Sequence, residues 1–512
     1  MQSELARTLL SLLPLGPLWF MLVLPLFMSF VAYLAGKKLA RPVAILTTLV
    51  ELVIAVALAL AYDTSTLAAP YLDYVSTYTM GALPYHSAII QLIVGVDGIS
   101  VVMVVLSSLV VFVAVLSATH IHESEGTFYM LMLLLQTGLT GVFVSLDLMG
   151  FFVFWELVLI PMFFVIGKFG EEGCRHAAIK FFIYTHLGSL AMLLGFFALF
   201  FAGGYTFDMV ALRNTPLAPE VQIGFALAVF LGAGVKLPVW PLHNWLPWAH
   251  VKAPTPGSVI LAGILLKMGG YAFIRLGVWL NPVAFSRLAI PFAVVAVFTC
   301  IYAAFTAMAQ TDLKSMVAYT SINHMAWVLL GVAIGTELAL QGAVFMMFSH
   351  GAIISVLFIV AGQMKYSAGS REIPAIQGLS KRAPRLSALF VLASLAAFGL
   401  PGLSGFIAEA LVLFGWATLL TISNFMVWIW ASLITFAIFI TVGYFLWTLN
   451  RTVFSESDPT KEVSDAPLRD LVAPVLMMVP VFVLGLWPDL VIVQIQQVIR
   501  FIVSSMAGGG VP

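Results

Sequence analysis

Four ionisable side chains lie inside long apolar runs of the sequence. They are Glu156 in FFVFWELVLIPMFFVIG, Lys236 in AVFLGAGVKLPVWP, Lys267 in VILAGILLKMGGYAFI and Glu409 in LPGLSGFIAEALVLFGW. A charged group near the middle of a bilayer costs roughly 2.5–3.5 kcal/mol or more, so four unpaired groups would cost on the order of 10 kcal/mol. That sum is comparable to the stability of a whole protein. The four groups must therefore pair with one another or line a hydrated path.

Two interpretations of these four residues are open. In the first, they form two buried ion pairs that hold helices together. Buried ion pairs are often no more stabilising than apolar replacements, which makes stability a weak reason to keep four charges. In the second, they carry protons, because a buried lysine with a movable glutamate partner can gain and lose a proton near neutral pH. We favour the second interpretation.

Histidine is the side chain best suited to pass protons between such groups near neutral pH. His324 and His350 fall within apolar runs and are predicted to be relays, with a neutral histidine hydrogen-bonded in the core as the alternative. For His186 we favour that alternative. His243 and His250, in PLHNWLPWAHVKAPT, lack the further ligands that a metal site needs, so a capping or proton-entry role is expected for them.

Glycine and proline residues accompany two of the buried charges. Lys236 is flanked by Gly232, Gly234, Pro238 and Pro241, and Glu409 is preceded by Gly399, Pro401, Gly402 and Gly405. These residues predict helices that break inside the membrane, where a cavity must satisfy the exposed peptide groups. Two such breaks indicate an inverted-repeat transporter plan. Predicted helices 4–8 should then match helices 9–13, with Lys236 and Glu409 at related positions.

The composition indicates that lipid is the solvent for most of the chain. Hydrophobic residues make up 62% and charged residues 9% of the 512 residues, whereas a soluble domain has about 25% charged residues. The formal net charge is zero, which argues against a nucleic-acid partner. Cys174 and Cys300 lie far apart, and the sequence has no nucleotide-binding or cluster-binding motif. We therefore expect no cofactor and no metal in this chain.

The apolar runs predict an all-α integral membrane protein of about fourteen transmembrane helices. The predicted helices are 18–35, 43–62, 98–118, 128–146, 149–167, 178–202, 222–241, 258–279, 288–309, 315–334, 339–361, 387–414, 425–449 and 471–488. Residues 1–512 are expected to form a single polytopic domain, with repeats at about 128–279 and 288–449. The stretch 63–96 is polar and aromatic-rich, and the segment 491–505 is predicted to be either a surface helix or a disordered tail.

The positive charges divide unevenly between the two sets of loops. With alternating sides, 16 of the 23 Lys and Arg residues, Lys461 among them, fall on one side and 4 on the other. The remaining three, Lys236, Lys267 and Arg275, lie inside predicted helices. The positive-inside rule then places both termini away from the cytoplasm.

Four acidic residues allow a simpler interpretation than proton transport. Glu51 lies early in a predicted helix and is expected to extend to the interface. Asp97, Asp147 and Asp312 lie at predicted helix ends, where they are expected to cap helices or meet lipid headgroups.

Four stretches of the chain carry a resemblance to a known family. WELVLIPMFFVIGKFG, RHAAIKFFIYTHLGS, VKLPVWPLHNWLPWAHVKAPTPGSVILAGILLKMGGY and MFSHGAIISVLFIVAG resemble the subunit M (chain 4) family of the proton-pumping NADH–quinone oxidoreductase, respiratory complex I. The wider family includes antiporter-like subunits of complex I, of multi-subunit cation/proton antiporters and of membrane-bound hydrogenases.

The resemblance implies a role for each buried ionisable residue. The relay residues of the family fall on Glu156, Lys236, Lys267, His324, His350 and Glu409. Many relatives have a charged residue where this chain has Trp248, so the role of that position is open. The resemblance also implies that FMN, iron–sulfur clusters and quinone belong to partner subunits.

The implied function is that of a proton-translocating membrane subunit of NADH:quinone oxidoreductase in the bacterial inner membrane. A proton enters from the cytoplasmic side toward Lys236, whose protonation is tuned by Glu156. It then passes by way of Lys267, His324 and His350 to Glu409. The partners are other complex I membrane subunits, including sister antiporter-like subunits. The alternatives are a subunit of a multi-subunit cation/proton antiporter or of a membrane-bound hydrogenase.

Overall fold

A computed structural model describes residues 2–82, 89–421, 425–456 and 463–508. Lys461, one of the predicted loop charges, lies outside these residues. Helices dominate the described chain, which confirms the predicted helical membrane class. Within the described ranges, 13 helices are long and apolar enough to cross a membrane. The predicted total of about fourteen transmembrane helices stays a prediction.

The amino-terminal part contains seven helices and one strand pair. Its elements are α1 (Gln2–Ser11), α2 (Pro17–Ala61), β1 (Asp73–Ala82), β2 (Ile89–Val96), α3 (Gly98–Leu116), α4 (Glu125–Val144), α5 (Leu148–Leu157), α6 (Leu159–Phe169) and α7 (Cys174–Ala202). The central helices are α8 (Met209–Arg213), α9 (Pro219–Lys236), α10 (Leu246–Lys252), α11 (Thr255–Ile260), α12 (Leu266–Ala272), α13 (Pro282–Arg287), α14 (Ala289–Met308) and α15 (Leu313–Ile334). The π-helical segment Leu261–Leu265 joins α11 to α12, and a second one, Phe273–Trp279, continues α12, so that together they form one buried spanning helix, Thr255–Trp279.

The remaining helices follow from the middle of the chain to its carboxyl end. They are α16 (Glu337–Ala368), α17 (Leu379–Arg382), α18 (Pro384–Ala397), α19 (Ser404–Ala417), α20 (Phe425–Thr452), α21 (Leu468–Leu486) and α22 (Asp489–Gly508). Short 3₁₀ turns occur at Thr64–Thr66, Ile373–Ala375 and Thr418–Thr421.

The first two predicted helices appear as the single element α2, but they do not form one rod. Gly36 within α2 is non-helical, with φ 62° and ψ −156°. A straight helix of 45 residues would be about 68 Å long. Arg7 nevertheless donates a hydrogen bond to the Ala61 carbonyl at 3.3 Å, so both ends of α2 lie at the same end of the bundle. The chain therefore reverses near Gly36, where the positive φ favours glycine.

A β-hairpin occupies most of the polar, aromatic-rich stretch 63–96, for which no element was predicted. β1 and β2 pair antiparallel, with Asp73 opposite Val96 and Ala82 opposite Ile89. The Ile93 amide donates to Asp147 Oδ2 at 2.9 Å, which fixes the hairpin to the start of α5. The β-branched and aromatic residues of DYVSTYTMGA are typical of a strand, so this strand pair is an addition to the predicted all-α fold.

The loops collect at two opposite ends of the bundle. At one end, Arg371 binds Glu171 at 2.7 Å and Asp312 at 2.6 Å, and Lys314 donates to the Ala253 carbonyl at 2.6 Å. These loops belong to the predicted basic side, and we call this end the basic face. The other end carries β1, β2, α8 and the turn between α15 and α16, and we call it the hairpin face.

Of the four acidic residues for which the sequence predicts an interfacial or helix-capping position, three are found as predicted. The side chains of Asp97, Asp147 and Asp312 accept hydrogen bonds from the first turns of α3, α5 and α15 and so cap these helices. The prediction for Glu51 is wrong. Its side chain is fully buried against other helices, and neither carboxylate oxygen has a hydrogen-bond partner among the described residues.

The carboxyl-terminal segment is the helix α22, which is one of the 13 helices counted above by length and composition, but its contacts agree with the surface-helix alternative. Gln494 donates to the Ala59 carbonyl at 3.3 Å, and Arg500 pairs with Glu337 at 2.8 Å. Both partners lie at the hairpin face, so α22 runs along that face. A Cβ atom at Gly98 would overlap the backbone carbonyl oxygen of Gln494, which shows how closely α22 packs on the start of α3.

We expect Gly98→Ala to loosen α22. The added methyl group meets backbone that cannot rotate away, and overpacking of this kind costs about 1–3 kcal/mol. Limited proteolysis of the detergent-solubilised protein should cut α22 faster, and the unfolding temperature should fall. Gly443→Ala is the control, because a Cβ atom there meets nothing within 4 Å. Equal cleavage of the two variants would contradict the prediction.

Candidate functional site

Lys236 is the last residue of α9, which ends earlier than the predicted Pro241 because Pro238 and Pro241 lack amide hydrogens. The Trp245 indole donates to the freed Val235 carbonyl at 2.9 Å. The Lys236 side chain is fully buried, and its Nζ lies 5.0 Å from the centre of the Trp155 ring. Nζ has no hydrogen-bond partner among the described residues. The site thus holds a buried amine that no side chain or backbone group of the described chain fixes in place.

Glu156 pairs with His186 rather than with Lys236. Glu156 Oε2 lies 2.8 Å from His186 Nδ1, and the two side chains are 21% and 39% exposed. In the described chain no ion pair within 4 Å joins Glu156 to Lys236, although the two charges interact at longer range. His186, expected to be hydrogen-bonded in the core, is instead the direct partner of Glu156 on the side of the bundle.

Lys267 lies between the two π-helical segments and is fully buried. Its Nζ donates to the Ala262 carbonyl at 2.5 Å and lies 2.7 Å from His350 Nδ1. When the lysine is charged, Nδ1 must accept this hydrogen bond, so the proton of a neutral His350 ring is on Nε2. Nε2 is buried and has no partner within the described residues. His350 is thus poised to take a proton at one nitrogen and release one at the other.

His324 follows His350 in space. The two ring centres are 5.3 Å apart. His324 Nδ1 lies 3.0 Å from the Thr320 carbonyl, and Nε2 lies 2.8 Å from the Ala397 carbonyl. A neutral imidazole can donate to only one of two carbonyl oxygens, whereas a protonated ring donates to both. This environment therefore offers a ready hydrogen bond to an added proton.

The second helix break supplies one of these carbonyls. α18 ends at Ala397 and α19 begins at Ser404, which leaves the Ala397 carbonyl free for His324. Glu409 lies in the second turn of α19, and its Oε1 is 3.9 Å from His324 Nε2. Lys236 ends its helix whereas Glu409 lies within one, so the two residues do not stand at the same place relative to their breaks. The inverted repeat stays a prediction.

A small cavity joins the two histidines and the carboxylate. Its volume is about 10 Å³, and His324, His350 and Glu409 are among its lining residues. A cavity of this size holds about one water molecule. The contacts therefore connect Lys267, His350, His324 and Glu409 in that order. The predicted order had His324 before His350, whereas these contacts place His350 next to Lys267 and His324 next to Glu409.

Two buried groups on the basic side of Lys267 were not among the predicted relay residues. His250 is fully buried, stacks 4.5 Å from the centre of the Phe358 ring, and has no hydrogen-bond partner at either nitrogen among the described residues. Lys314 is 1% exposed and lines a cavity of about 150 Å³ at the basic face. The one available signal was the position of His250 beside a helix break.

Charged residues surround this basic-face cavity, which Glu171, Lys365 and Arg371 also line. Burial would raise the pKa of the Glu171 carboxyl, but Lys314, Arg371 and Lys365 outweigh burial and hold its pKa below the ordinary value. In the described chain, no three His, Cys, Asp or Glu side chains are grouped to hold a metal ion.

Comparison with known proteins decides the family. Residues 145–441 match the family described as NADH:quinone oxidoreductase/Mrp antiporter, TM, which is more than half of the chain. The chain belongs to this family. The part of this chain that matches the family includes both helix breaks and every predicted relay residue.

Named relatives extend the similarity over almost the whole chain. The F(420)H(2) dehydrogenase subunit M of Methanosarcina mazei is 36% identical, over 98% of this chain and 100% of its own length. The NADH-quinone oxidoreductase subunit M of Escherichia coli strain K12 is 36% identical, over 89% of this chain and 90% of its own length. A chain in the structure of respiratory complex I from Thermus thermophilus with bound NADH is 27% identical, with a TM-score of 0.85 over 96% of this chain and 100% of that chain.

Glu171 should make folding depend on pH. A carboxyl group whose pKa is lowered by folding stabilises the protein above its unfolded pKa, and this contribution is lost as the pH falls through the folded pKa. We expect the Glu171→Gln variant to have a lower unfolding temperature than the natural protein at pH 7, both in detergent. The difference between the two unfolding temperatures should be smaller at about pH 4.

Glu172→Gln is the matched control, because Glu172 is the exposed neighbour. An exposed acidic residue contributes little, about 0–1 kcal/mol. Identical pH profiles for the Glu171→Gln and natural proteins would refute the role of Glu171.

Proposed function

We propose that this chain is a proton-translocating membrane subunit of an NADH:quinone oxidoreductase of the complex I type. In this proposal, electrons pass from NADH to quinone in other subunits, which hold FMN and iron–sulfur clusters, while this chain moves protons. The carrying observation is the contact series from Lys267 through His350 and His324 to Glu409, beside a cavity for one water molecule. Membership of the family and the similarity to a complex I chain give further support.

Protons enter from the basic face. The cavity of about 150 Å³ brings water to Lys314, and His250, which has no hydrogen-bond partner among the described residues, lies within electrostatic range of both Lys314 and Lys267. A second supply comes from Lys236. Gly269, two residues after Lys267, is so close to the Leu237 amide that a Cβ atom there would lie 2.6 Å away, so the helices of the two lysines are in direct contact.

The relay then runs across the bundle. Lys267 gives a proton to His350 Nδ1, and the ring releases its other proton from Nε2 toward the water site. His324 accepts that proton, because the protonated ring donates to both neighbouring carbonyls. Glu409 receives it and releases it toward the hairpin face. Every step joins groups that can both accept and release a proton.

Glu156 controls the charge of Lys236. Moving an anionic carboxylate from about 8 Å to about 4 Å from an ammonium strengthens their attraction by about 2 kcal/mol at an effective dielectric constant near 20. Glu156 is held by His186 rather than by Lys236, so release from the histidine frees it to approach the lysine. This step couples Lys236 to events at the side of the bundle.

A partner subunit covers the Glu156–His186 pair. His186 is 39% exposed in the single chain, and exposure of such a polar pair to lipid is costly. We assign this side to a neighbouring antiporter-like membrane subunit of the complex. By the positive-inside rule, the basic face is cytoplasmic and both termini lie outside, in the bacterial inner membrane.

The decisive experiment is Lys267→Ala in the intact complex, reconstituted into lipid vesicles and driven by NADH with quinone. We expect the proton gradient, followed with a pH-sensitive dye, to fall roughly tenfold or more, in line with the loss of one proton-transfer group. Lys38→Ala is the control, because Lys38 is an exposed lysine of the basic face. An undiminished gradient in an assembled Lys267→Ala complex would exclude the relay.

The same preparation tests the antiporter alternative. Oxidation of NADH with quinone by the purified complex supports the proposal. Exchange of sodium for protons driven by a gradient alone, without that oxidation, would favour a cation/proton antiporter. Oxidation of F(420)H(2) rather than NADH would place the chain in a complex like that of its Methanosarcina mazei relative.

Gly399→Ala tests the position of Glu409. A Cβ atom at Gly399 would lie 2.6 Å from Glu409 Oε2, so the substitution should push the carboxylate away from His324 and slow proton translocation several-fold. Gly402→Ala is the matched control. Both glycines have positive φ and bear similar backbone strain, but nothing lies within 4 Å of a Cβ atom at Gly402. Equal translocation by the two variants would contradict the prediction.

A further inference from the structure

The spanning helix that carries Lys267 also carries Tyr271 and Arg275. They lie four and eight residues after Lys267, toward the hairpin face. All three side chains are at most 2% exposed. Lys267 extends away from this direction, because its Nζ binds the Ala262 carbonyl of the preceding turn. A proton on Lys267 that moved straight to the hairpin face would have to pass Tyr271 and Arg275.

Four side chains form one hydrogen-bonded group at this place, which we call the hairpin-side network: Tyr271, Ser100, Arg275 and Asp97. The Tyr271 hydroxyl lies 2.9 Å from Ser100 Oγ and 3.0 Å from Arg275 Nε. Arg275 Nη2 binds Asp97 Oδ2 at 2.6 Å and Ser100 Oγ at 3.1 Å. The network joins the start of α3 to the helix of Lys267.

The directions of these hydrogen bonds are fixed by what each group can donate. Tyr271 has one hydroxyl proton, and it donates that proton to the Phe143 carbonyl at 3.0 Å. Ser100 must therefore donate to Tyr271, and Arg275 also donates to it. A backbone carbonyl accepts a hydrogen bond but cannot pass a proton on. The series thus ends at Phe143 and is not a proton wire.

Arg275 is a second reason why the network does not conduct protons. Its guanidinium stays protonated in proteins, so it cannot accept a transferred proton. Asp97, the nearest carboxylate, is held by Arg275 and by the Ser100 amide at 2.9 Å. In contrast, the His350 side of Lys267 offers a water-sized cavity and groups that can change protonation.

We propose that the hairpin-side network seals Lys267 from the hairpin face, so that protons leave this lysine only through His350. The four side chains are positioning residues: they take no proton themselves and prevent a short circuit across the membrane. This inference rests on the proposed relay. It adds that protons cannot leave Lys267 toward the hairpin face. The Arg275–Asp97 ion pair, which has no net charge, and the Tyr271 hydroxyl, whose proton is bound to the Phe143 carbonyl, block that direction.

The test uses the intact complex in phosphatidylcholine vesicles, without any electron donor. A potassium diffusion potential set with valinomycin drives protons, and a trapped pH-sensitive dye reports their passive entry. The variant Asp97→Asn/Arg275→Gln removes both charges together, which avoids an uncompensated buried charge. We expect its passive proton flux to rise roughly tenfold, the change that about 1.4 kcal/mol off a barrier produces. Adding Lys267→Ala to this variant should return the flux to the natural level.

The control is Arg500→Gln/Glu337→Gln, which removes an exposed ion pair of the same face and should leave the vesicles tight. An assembled Asp97→Asn/Arg275→Gln complex as tight as the natural one overturns the seal. A leak that persists when Lys267→Ala is added overturns it as well, since the leak would then bypass Lys267. Donor-driven pumping by Lys267→Ala alone separates the two proposals, because normal pumping there refutes the relay itself.

Discussion

The contact between the Lys267 ammonium and His350 Nδ1, 2.7 Å long and fully buried, is the interaction on which the rest of the structure depends. A charge at this depth is tolerated only where the surrounding atoms replace its lost hydration. The π-helical segment supplies the Ala262 carbonyl, and His350 supplies a nitrogen lone pair. Neither partner carries a compensating negative charge, so the lysine is held less firmly than in an ion pair, which is what the proposed proton relay requires of it.

The irregular backbone of the bundle has a chemical purpose. Where α18 ends, the freed Ala397 carbonyl binds His324, and where α9 ends, the freed Val235 carbonyl binds Trp245. Regular helices would keep these oxygens in their own ladders, and the imidazole would lose a partner for its second proton. The breaks thus place polar atoms at mid-membrane depth without placing further charges there, which is the less costly solution in hydrocarbon.

Much of this arrangement could be predicted from the sequence, because a buried Lys or Glu in an apolar run is a strong signal. The helical class and the acidic caps at Asp97, Asp147 and Asp312 followed from residue type and spacing, whereas the family came from the resemblance of four stretches to known relatives. The β-hairpin was missed because its strands interrupt a series of apolar helices. The order of His350 and His324, the pairing of Glu156 with His186, and the burial of Glu51 depend on which helix faces which, and hydropathy does not encode that.

The partly exposed Glu156–His186 pair also has a consequence for the assembly of the protein. A lone copy in the bilayer would hold these polar atoms against acyl chains, or draw water in beside them, and both outcomes weaken the fold locally. Under the proposed function, the chain is an incomplete product until the neighbouring subunit docks on this side. If that docking occurs as proposed, the unassembled chain opens locally more easily at this side than the assembled one, and proteolysis follows such local opening.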